Sequence, residues 1–372
     1  MKYFTTKVAG SGAFCGRDKE RHILKRYIED NEHCVVVAPR RYGKTSLIMR
    51  VIEETGTCCG QVDLFCVVYE EEVMRKLAKG VSQIAQGLMS RTEKTLSFLE
   101  KTFKSAKIGI HAGSLDISVE MLKTQTLSEQ VEDLLLGLEQ VAKKAQKKVV
   151  MFIDEFQDIL KVECSLTIQA AIRSVAQHSK FVTYIFSGSS RVMLEKIFDD
   201  ASQPLYMMCH KLSLHRIGAP FFEHHIQKAS ESTWGQPITN EALEKIIALT
   251  ECHTYYVNLL CADLMVLDVP PDQDMVEEVW HELLQSHRGK IISELEKLSP
   301  NRIKVLTNIA LLKEVNEPNS RRFLNEVKIS LSSAQASIQY LLENDYIYET
   351  LSGALRLLDP LMRTFIINRY SG

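Results

Sequence analysis

The 372-residue sequence has no apolar run approaching the eighteen residues that a membrane-crossing helix needs. Its first residues, MKYFTTKVAGSG, lack the apolar core of a secretory leader, so a cytoplasmic location is expected. The chain also has no large charge imbalance. Lys and Arg number 45 against 47 Asp and Glu, a formal net charge of −2, which removes any global electrostatic argument for nucleic acid. Nine cysteines are present, at Cys15, Cys34, Cys58, Cys59, Cys66, Cys164, Cys209, Cys252 and Cys261, yet none forms a Cys-x-x-Cys pair. Without ligand spacing a zinc–thiolate site is not expected, and the thiols read as reduced and largely buried. The adjacent Cys58 and Cys59 are expected to end a helix, a poor geometry for metal. No internal repeat or low-complexity segment is present. What remains is ordinary for a globular chain, 45% hydrophobic and 25% charged, and too long for one core.

The strongest positive signal is VVVAPRRYGKTSLI at residues 35–48: an apolar strand, a short loop, then Gly-Lys-Thr opening a helix. It fits G-x-x-x-x-G-K-[ST], a loop whose backbone N–H groups and following helix N-terminus cradle phosphates. Gly43, Lys44 and Thr45 are in place, with Pro39, Arg40, Arg41, Tyr42 and Ser46 completing the loop and the helix start. Lys44 would reach the β/γ-phosphates and the Thr45 hydroxyl would coordinate Mg²⁺. Ala38 stands where the first glycine belongs. It precedes Pro39, which pushes it toward extended backbone, where glycine is not required. Arg40 and Arg41 are placed to touch phosphate or a partner, or stand as solvated charges.

Four apolar runs read as buried parallel strands: 34–38, 62–68, 149–153 and 181–186. Helical patterns lie between them, at 45–54, at 71–103 with a break near Ser90, at 128–145 and at 164–178. Alternating strands and helices predict an α/β domain with a parallel sheet. Residues 104–123 alternate partly and predict a hairpin-like insertion. After about residue 205 the strands are expected to stop. Helices are expected at 241–250, at 255–266, and from about Asp272 through His287. Helices at 302–313, 320–326 and 332–343, then short strands at 346–349 and 354–358, predict a winged helix-turn-helix.

Val149-Val150-Met151-Phe152-Ile153-Asp154-Glu155 places two acids at the C-terminal end of a buried strand, where open α/β sheets bind ligands. Asp154 would accept Mg²⁺ directly or through water, and Glu155 would orient or deprotonate an attacking water. The 181–186 strand ends in Ser187-Gly188-Ser189-Ser190-Arg191. Ser187 and Ser189 are candidates to lie between the acids and a γ-phosphate, and Arg191 to supply charge to it. The same turn reads equally as a plain strand-to-helix connection capped by Ser190.

FCGRDKE at 14–20, APRRYGKTSL, VVMFIDEFQDI and FSGSSRVMLEKIF together resemble the archaeal-type ATPase family, P-loop NTPases of the AAA+ and STAND type. The resemblance covers nearly the whole chain in motif order. It implies a P-loop AAA-type core over 1–205, a helical lid over 206–290 and a winged-helix domain over 291–372. It further implies that Phe14, Gly16 and Arg17 lie near the adenine, and that ATP with Mg²⁺ is bound by Lys44, Thr45, Asp154 and Glu155. No Asn-Lys-x-Asp follows the acid strand, and it is the resemblance that favours ATP over GTP. Leu358-Asp359-Pro360 resembles the family's winged-helix ending. In the lid, Cys252-His253-Thr254-Tyr255-Tyr256 replaces a Gly-x-Pro-Tyr-Tyr-like turn. His253 there reads as a structural or exposed residue before a nucleotide contact.

The candidate recognition helix, 332–343, has no Lys or Arg, and residues 296–372 hold ten Lys/Arg against eight Asp/Glu. Binding to DNA rests heavily on phosphate neutralisation, so a protein contact or self-association is the expected partner. The expected function is an ATP-binding and slowly hydrolysing switch that couples nucleotide state to lid, winged helix and partner. A DNA-bound ATPase of initiator or transposition-helper type, and a nucleotide-binding interaction protein with negligible turnover, are the alternatives.

Overall fold

Three apolar runs form the strands that the sequence predicts, because β-branched and aromatic side chains fill both faces of a parallel sheet. They are β1 (Cys34–Val37), β5 (Val149–Asp154) and β6 (Val182–Gly188), buried at every position. The computed structural model describes residues 3–10, 12–88, 98–99, 101–103, 106–111, 114–119 and 126–370. Among these, β2 (Cys58–Asp63) and β7 (His210–Ser213) complete a five-stranded parallel sheet in the order β2-β5-β6-β1-β7. The chain falls into two compact units, residues 17–39 with 44–214, and residues 1–16 with 40–43 and 215–372. No helix among the described residues is long and apolar enough to cross a membrane.

Two strand expectations are corrected. The strand expected at 62–68 is Cys58–Asp63, so Cys58 and Cys59 open a strand and do not end a helix. A Cβ on Gly60 would lie 2.2 Å from the Gly80 carbonyl oxygen, so the strand runs where only a glycine lets the Glu70–Leu88 helix approach. The apolar residues after Asp63 leave the sheet, with Phe65, Val68 and Tyr69 exposed. Strands also do not stop at 205. β7 pairs with β1 as a four-residue edge strand in which Leu212 alone is buried, too little alternation to register as a signal. Its Lys211 is held by Glu195 (3.0 Å) and Asp199 (2.9 Å). At the opposite edge the β2 amide of Gln61 donates to the Gln83 side chain at 2.8 Å.

Helices Lys44–Thr55, Leu127–Ala145 and Ser165–Ala176 agree with expectation. Leu127–Ala145 starts on a capping box between Thr126 and Glu129, which satisfies two orphan helix donors. The stretch expected at 71–103 is helical over Glu70–Leu88, and the break near Ser90 lies outside the described residues. The hairpin expected within 104–123 is present as β3 (Ala106–His111) antiparallel to β4 (Ser114–Val119).

The second unit is helical. Asn240–Thr250 and Thr254–Leu264 match expectation, while Gln273–Glu296 runs past His287. Ala219–Trp234 was not anticipated, nor was the closing helix Pro360–Tyr370. Pro300–Leu312, Arg321–Val327 and Leu331–Glu343 precede β8 (Ile347–Glu349) and β9 (Leu355–Leu357), giving the expected winged helix. One apolar cluster runs from Phe4 and Ile217 through Trp280 to Ile366. The Asp359 carboxylate caps the closing helix by accepting from the amides of Leu361 and Met362, both at 2.9 Å, and also accepts from the Tyr256 hydroxyl.

Candidate functional site

The sheet order carries the site. The β6 strand lies between β1, which leads into the phosphate loop, and β5, which ends on the two acids. The three strand ends therefore meet at the carboxyl edge of the sheet, where α/β folds bind ligands. Ala38 is not among the residues with positive φ, so the missing glycine is not needed there. The left-handed turns fall instead on Arg41 (φ 67°) and Gly43 (φ 85°). The buried Lys44 ammonium donates to the carbonyls of Ala38 (2.9 Å) and Pro39 (3.3 Å), which offset its removal from water.

Asp154 gathers the three strand ends. Its Oδ2 accepts from the Thr45 hydroxyl at 2.8 Å, and its Oδ1 accepts from the Ser187 hydroxyl and from the Glu155 amide at 3.0 Å. Glu155 adopts a left-handed backbone (φ 49°, ψ 42°). Its Oε2 accepts from Gln157 Nε2 at 2.6 Å, from the Ser189 hydroxyl at 2.8 Å and from the Ser189 amide at 3.3 Å. The two serines named from the sequence thus divide the acids between them. Ser187 binds Asp154 and Ser189 binds Glu155.

Thr45 and Asp154 offer a hydroxyl and a carboxylate, hard oxygen donors that suit Mg²⁺. Among the described residues no cluster of three or more His, Cys, Asp or Glu could hold a metal. Mg²⁺ is typically bound through one or two carboxylates together with substrate phosphates, so a hydroxyl and a carboxylate are a sufficient protein share. The residues fit the ion.

Ser190 caps helix Arg191–Phe198 by accepting from the Met193 amide at 3.4 Å, and Arg191, an exposed side chain, pairs with Glu195 at 2.9 Å. Ser46 is half-buried in the first turn of its helix and Arg40 is exposed. Arg17 is buried and bonds Glu20 at 2.9 Å, while Phe14 is half-buried and Gly16 turns at φ 62°.

The second unit contains the loop residues 40–43, and their anchors were not read from the sequence. Arg41 lies over the Tyr255 ring at 4.1 Å. Tyr42 is buried, its hydroxyl accepts from Arg216 Nε at 3.3 Å and its ring meets His253 edge-on at 5.1 Å. Arg216 also donates to the Glu251 side chain (3.0 Å) and to the carbonyls of Glu251 (2.7 Å) and Leu358 (2.9 Å). Glu251 accepts further from Arg356 (2.8 Å) and Arg363 (3.3 Å). A repeated ionic signal would be needed to see this from sequence, and scattered single residues supply none.

His253 is buried, and its Nδ1 has no hydrogen-bond partner among the described residues. Burial first, with the positive Arg216 and Arg41 beside it, pushes its pKa down to about 3. The unfolded chain takes a proton there below about 6.5, and the folded chain does not until near 3. Stability should therefore fall as pH drops through that window, by about 2 kcal/mol between pH 6.5 and 5. His253→Phe should flatten this slope when melting temperature is followed from pH 7.5 to 5. An unchanged slope would show that the imidazole is not the cause.

Residues 14–260 match the family described as an ATPase domain predominantly from Archaea, and residues 292–368 match a probable winged helix domain. No curated protein sequence matches the chain. Among solved structures, the Walker-type ATPase PABY2304 of Pyrococcus abyssi is similar with a TM-score of 0.68, at 16% identity over 97% of both chains. The ORC2 protein of Aeropyrum pernix, solved as ADPNP–ADP complexes, is similar with a TM-score of 0.56 at 13% identity, over 95% of this chain and 94% of that one. At such identities the likeness concerns the fold, an α/β parallel sheet followed by helices and a C-terminal winged helix.

Proposed function

The chain belongs to the family of ATPase domains found predominantly in Archaea, and from that membership we propose that it binds and hydrolyses ATP as a cytoplasmic conformational switch. The observation that carries the reading is the bonding of Asp154 to Thr45 from the phosphate loop and to Ser187 from β6, with Glu155 next in the chain. In this reading the expected core of 1–205 also takes in the β7 strand, so the lid expected over 206–290 begins after Ser213, and the winged helix is 291–372.

Lys44, now turned on the carbonyls of Ala38 and Pro39, would exchange them for β/γ-phosphate oxygens. The amides of Pro39–Ser46 that bear N–H groups would line the phosphates, and Phe14, Gly16 and Arg17 would border the base. Thr45 and Asp154 would hold Mg²⁺, which when bound neutralises charge on the phosphates. Glu155 would orient water and take its proton, Ser187 and Ser189 would hold the two acids in place, and Arg191 would contribute positive charge.

The winged helix favours a protein partner or a second copy over DNA. The exposed positions of Leu331–Glu343 are Leu331, Ser332, Gln335, Ala336, Gln339 and Glu343, which carry no positive charge. Retardation of duplex DNA at low salt would overturn that preference.

The test of the nucleotide reading is Lys44→Ala. Loss of a charged hydrogen-bond donor is expected to weaken Mg²⁺–ATP binding by roughly ten- to a hundredfold, read by titration with a fluorescent ATP analogue. Unchanged affinity would remove the phosphate-grip assignment. A wild-type protein that binds ATP without releasing phosphate would leave a binding protein and no enzyme.

A further inference from the structure

Gln157 has no role in the phosphate or metal chemistry above, yet it is 3% exposed and points back at Glu155. Its Nε2 donates to Glu155 Oε2 at 2.6 Å and lies 3.5 Å from the Ser189 hydroxyl. Its own carbonyl oxygen is buried and has no hydrogen-bond partner among the described residues. An unmatched buried acceptor destabilises a fold, so a side chain that keeps one has a reason at its other end. The space is also specific. A Cβ on Gly188 would lie 1.9 Å from that oxygen, so the amide sits where any other residue at 188 would place its side chain.

The carboxylate is held asymmetrically. Oε2 takes three donors, from Gln157, the Ser189 hydroxyl and the Ser189 amide. The other oxygen, Oε1, takes none from a described residue. Two of the three donors come from Ser189, just past β6, and the third from the turn after β5, so the clamp ties the acid to the end of one neighbouring strand and to its own following turn. The left-handed backbone of Glu155 is what lets a residue two positions on fold back onto its carboxylate.

We propose that Gln157 is the positioning residue of the hydrolytic glutamate: its amide pins Oε2, so that Oε1 is the oxygen that accepts the proton of the attacking water. This rests on Glu155 acting on water, as proposed above. Gln157 touches neither nucleotide nor water in this role and acts only through the rotation of Glu155.

Full-length Gln157→Leu and Gln157→Glu separate the two ideas. Leu removes the donor, and Glu replaces it with a like charge that pushes the carboxylate away. A misplaced catalytic group costs up to about a hundredfold, so kcat should fall roughly tenfold for Leu and further for Glu, with ATP affinity unchanged in both. A purely structural Gln157 would lower melting temperature without that ordering in kcat. Gly188→Ala should reproduce the kcat loss with Gln157 still present, since its methyl displaces the amide. Wild-type kcat in Gly188→Ala, or equal kcat across both Gln157 variants and wild type, would overturn the proposal. The underlying reading fails separately, if Glu155→Gln itself turns over ATP normally.

Discussion

Glu155→Gln is expected to abolish steady-state phosphate release, by roughly a hundred- to ten-thousandfold, while Mg²⁺–ATP still binds. The substitution is nearly isosteric. Its side-chain oxygen can still accept from Ser189 and Gln157, so the clamp at the end of β6 survives. What is lost is the capacity to take a proton from water. Removal of an interaction made only in the transition state lowers kcat and leaves binding intact. The pattern is the reverse of that expected for Lys44→Ala, where affinity falls first. Phosphate release and nucleotide titration on the same preparation distinguish them. A Glu155→Gln protein with both properties unchanged would mean that water is activated elsewhere.

Glu251→Ala should be the most destabilising single substitution in the second unit. The side chain is 5% exposed and accepts from Arg216, Arg356 and Arg363, whose side chains are 11%, 21% and 20% exposed. Removing the one acid leaves three guanidinium groups facing each other without it. Breaking a buried ion pair from one side typically costs about 3–5 kcal/mol, which for a unit of this size lowers the melting temperature by roughly 10 °C. Arg216 would keep its bonds to the carbonyls of Glu251 and Leu358 but lose its charged partner. Glu251→Gln, which keeps an acceptor, should cost clearly less. Calorimetry on the two variants checks this, and equal melting temperatures would show that the carboxylate charge contributes nothing.

The half of the candidate site around Lys44, Thr45, Asp154 and Glu155 was legible because its residues are local. Lys44 and Thr45 follow a strand directly, and Asp154 and Glu155 end one, so a run of apolar residues followed by the right polar ones announces both. Ser187 and Ser189 were named for the same reason, although the division of one serine to each acid depends on β6 lying between β1 and β5, a matter of strand order. Gln157 was visible as part of Asp-Glu-Phe-Gln but without a role, since its reach to Glu155 depends on a left-handed residue that propensity does not announce. The Glu251 cluster was not legible at all. Its arginines lie 35, 105 and 112 positions away in the chain, and charge pairing over such distances has no period. In the fold, β7 was missed because an edge strand with one buried residue looks like a loop. The strand Cys58–Asp63 was misplaced because Gly60, Gln61 and Asp63 break its apolar pattern, while apolar residues continue beyond Asp63.

The two edges of the sheet bear on how readily another chain could add to it. A parallel sheet that ends in a long bare ladder invites the addition of another chain. Here growth is refused at both margins. On one side β7 is only four residues long and its exposed Lys211 is already tied to two carboxylates. On the other, the Gln83 side chain occupies the outward amide of Gln61. The sheet that carries the candidate site thereby offers another chain only a short and partly occupied ladder.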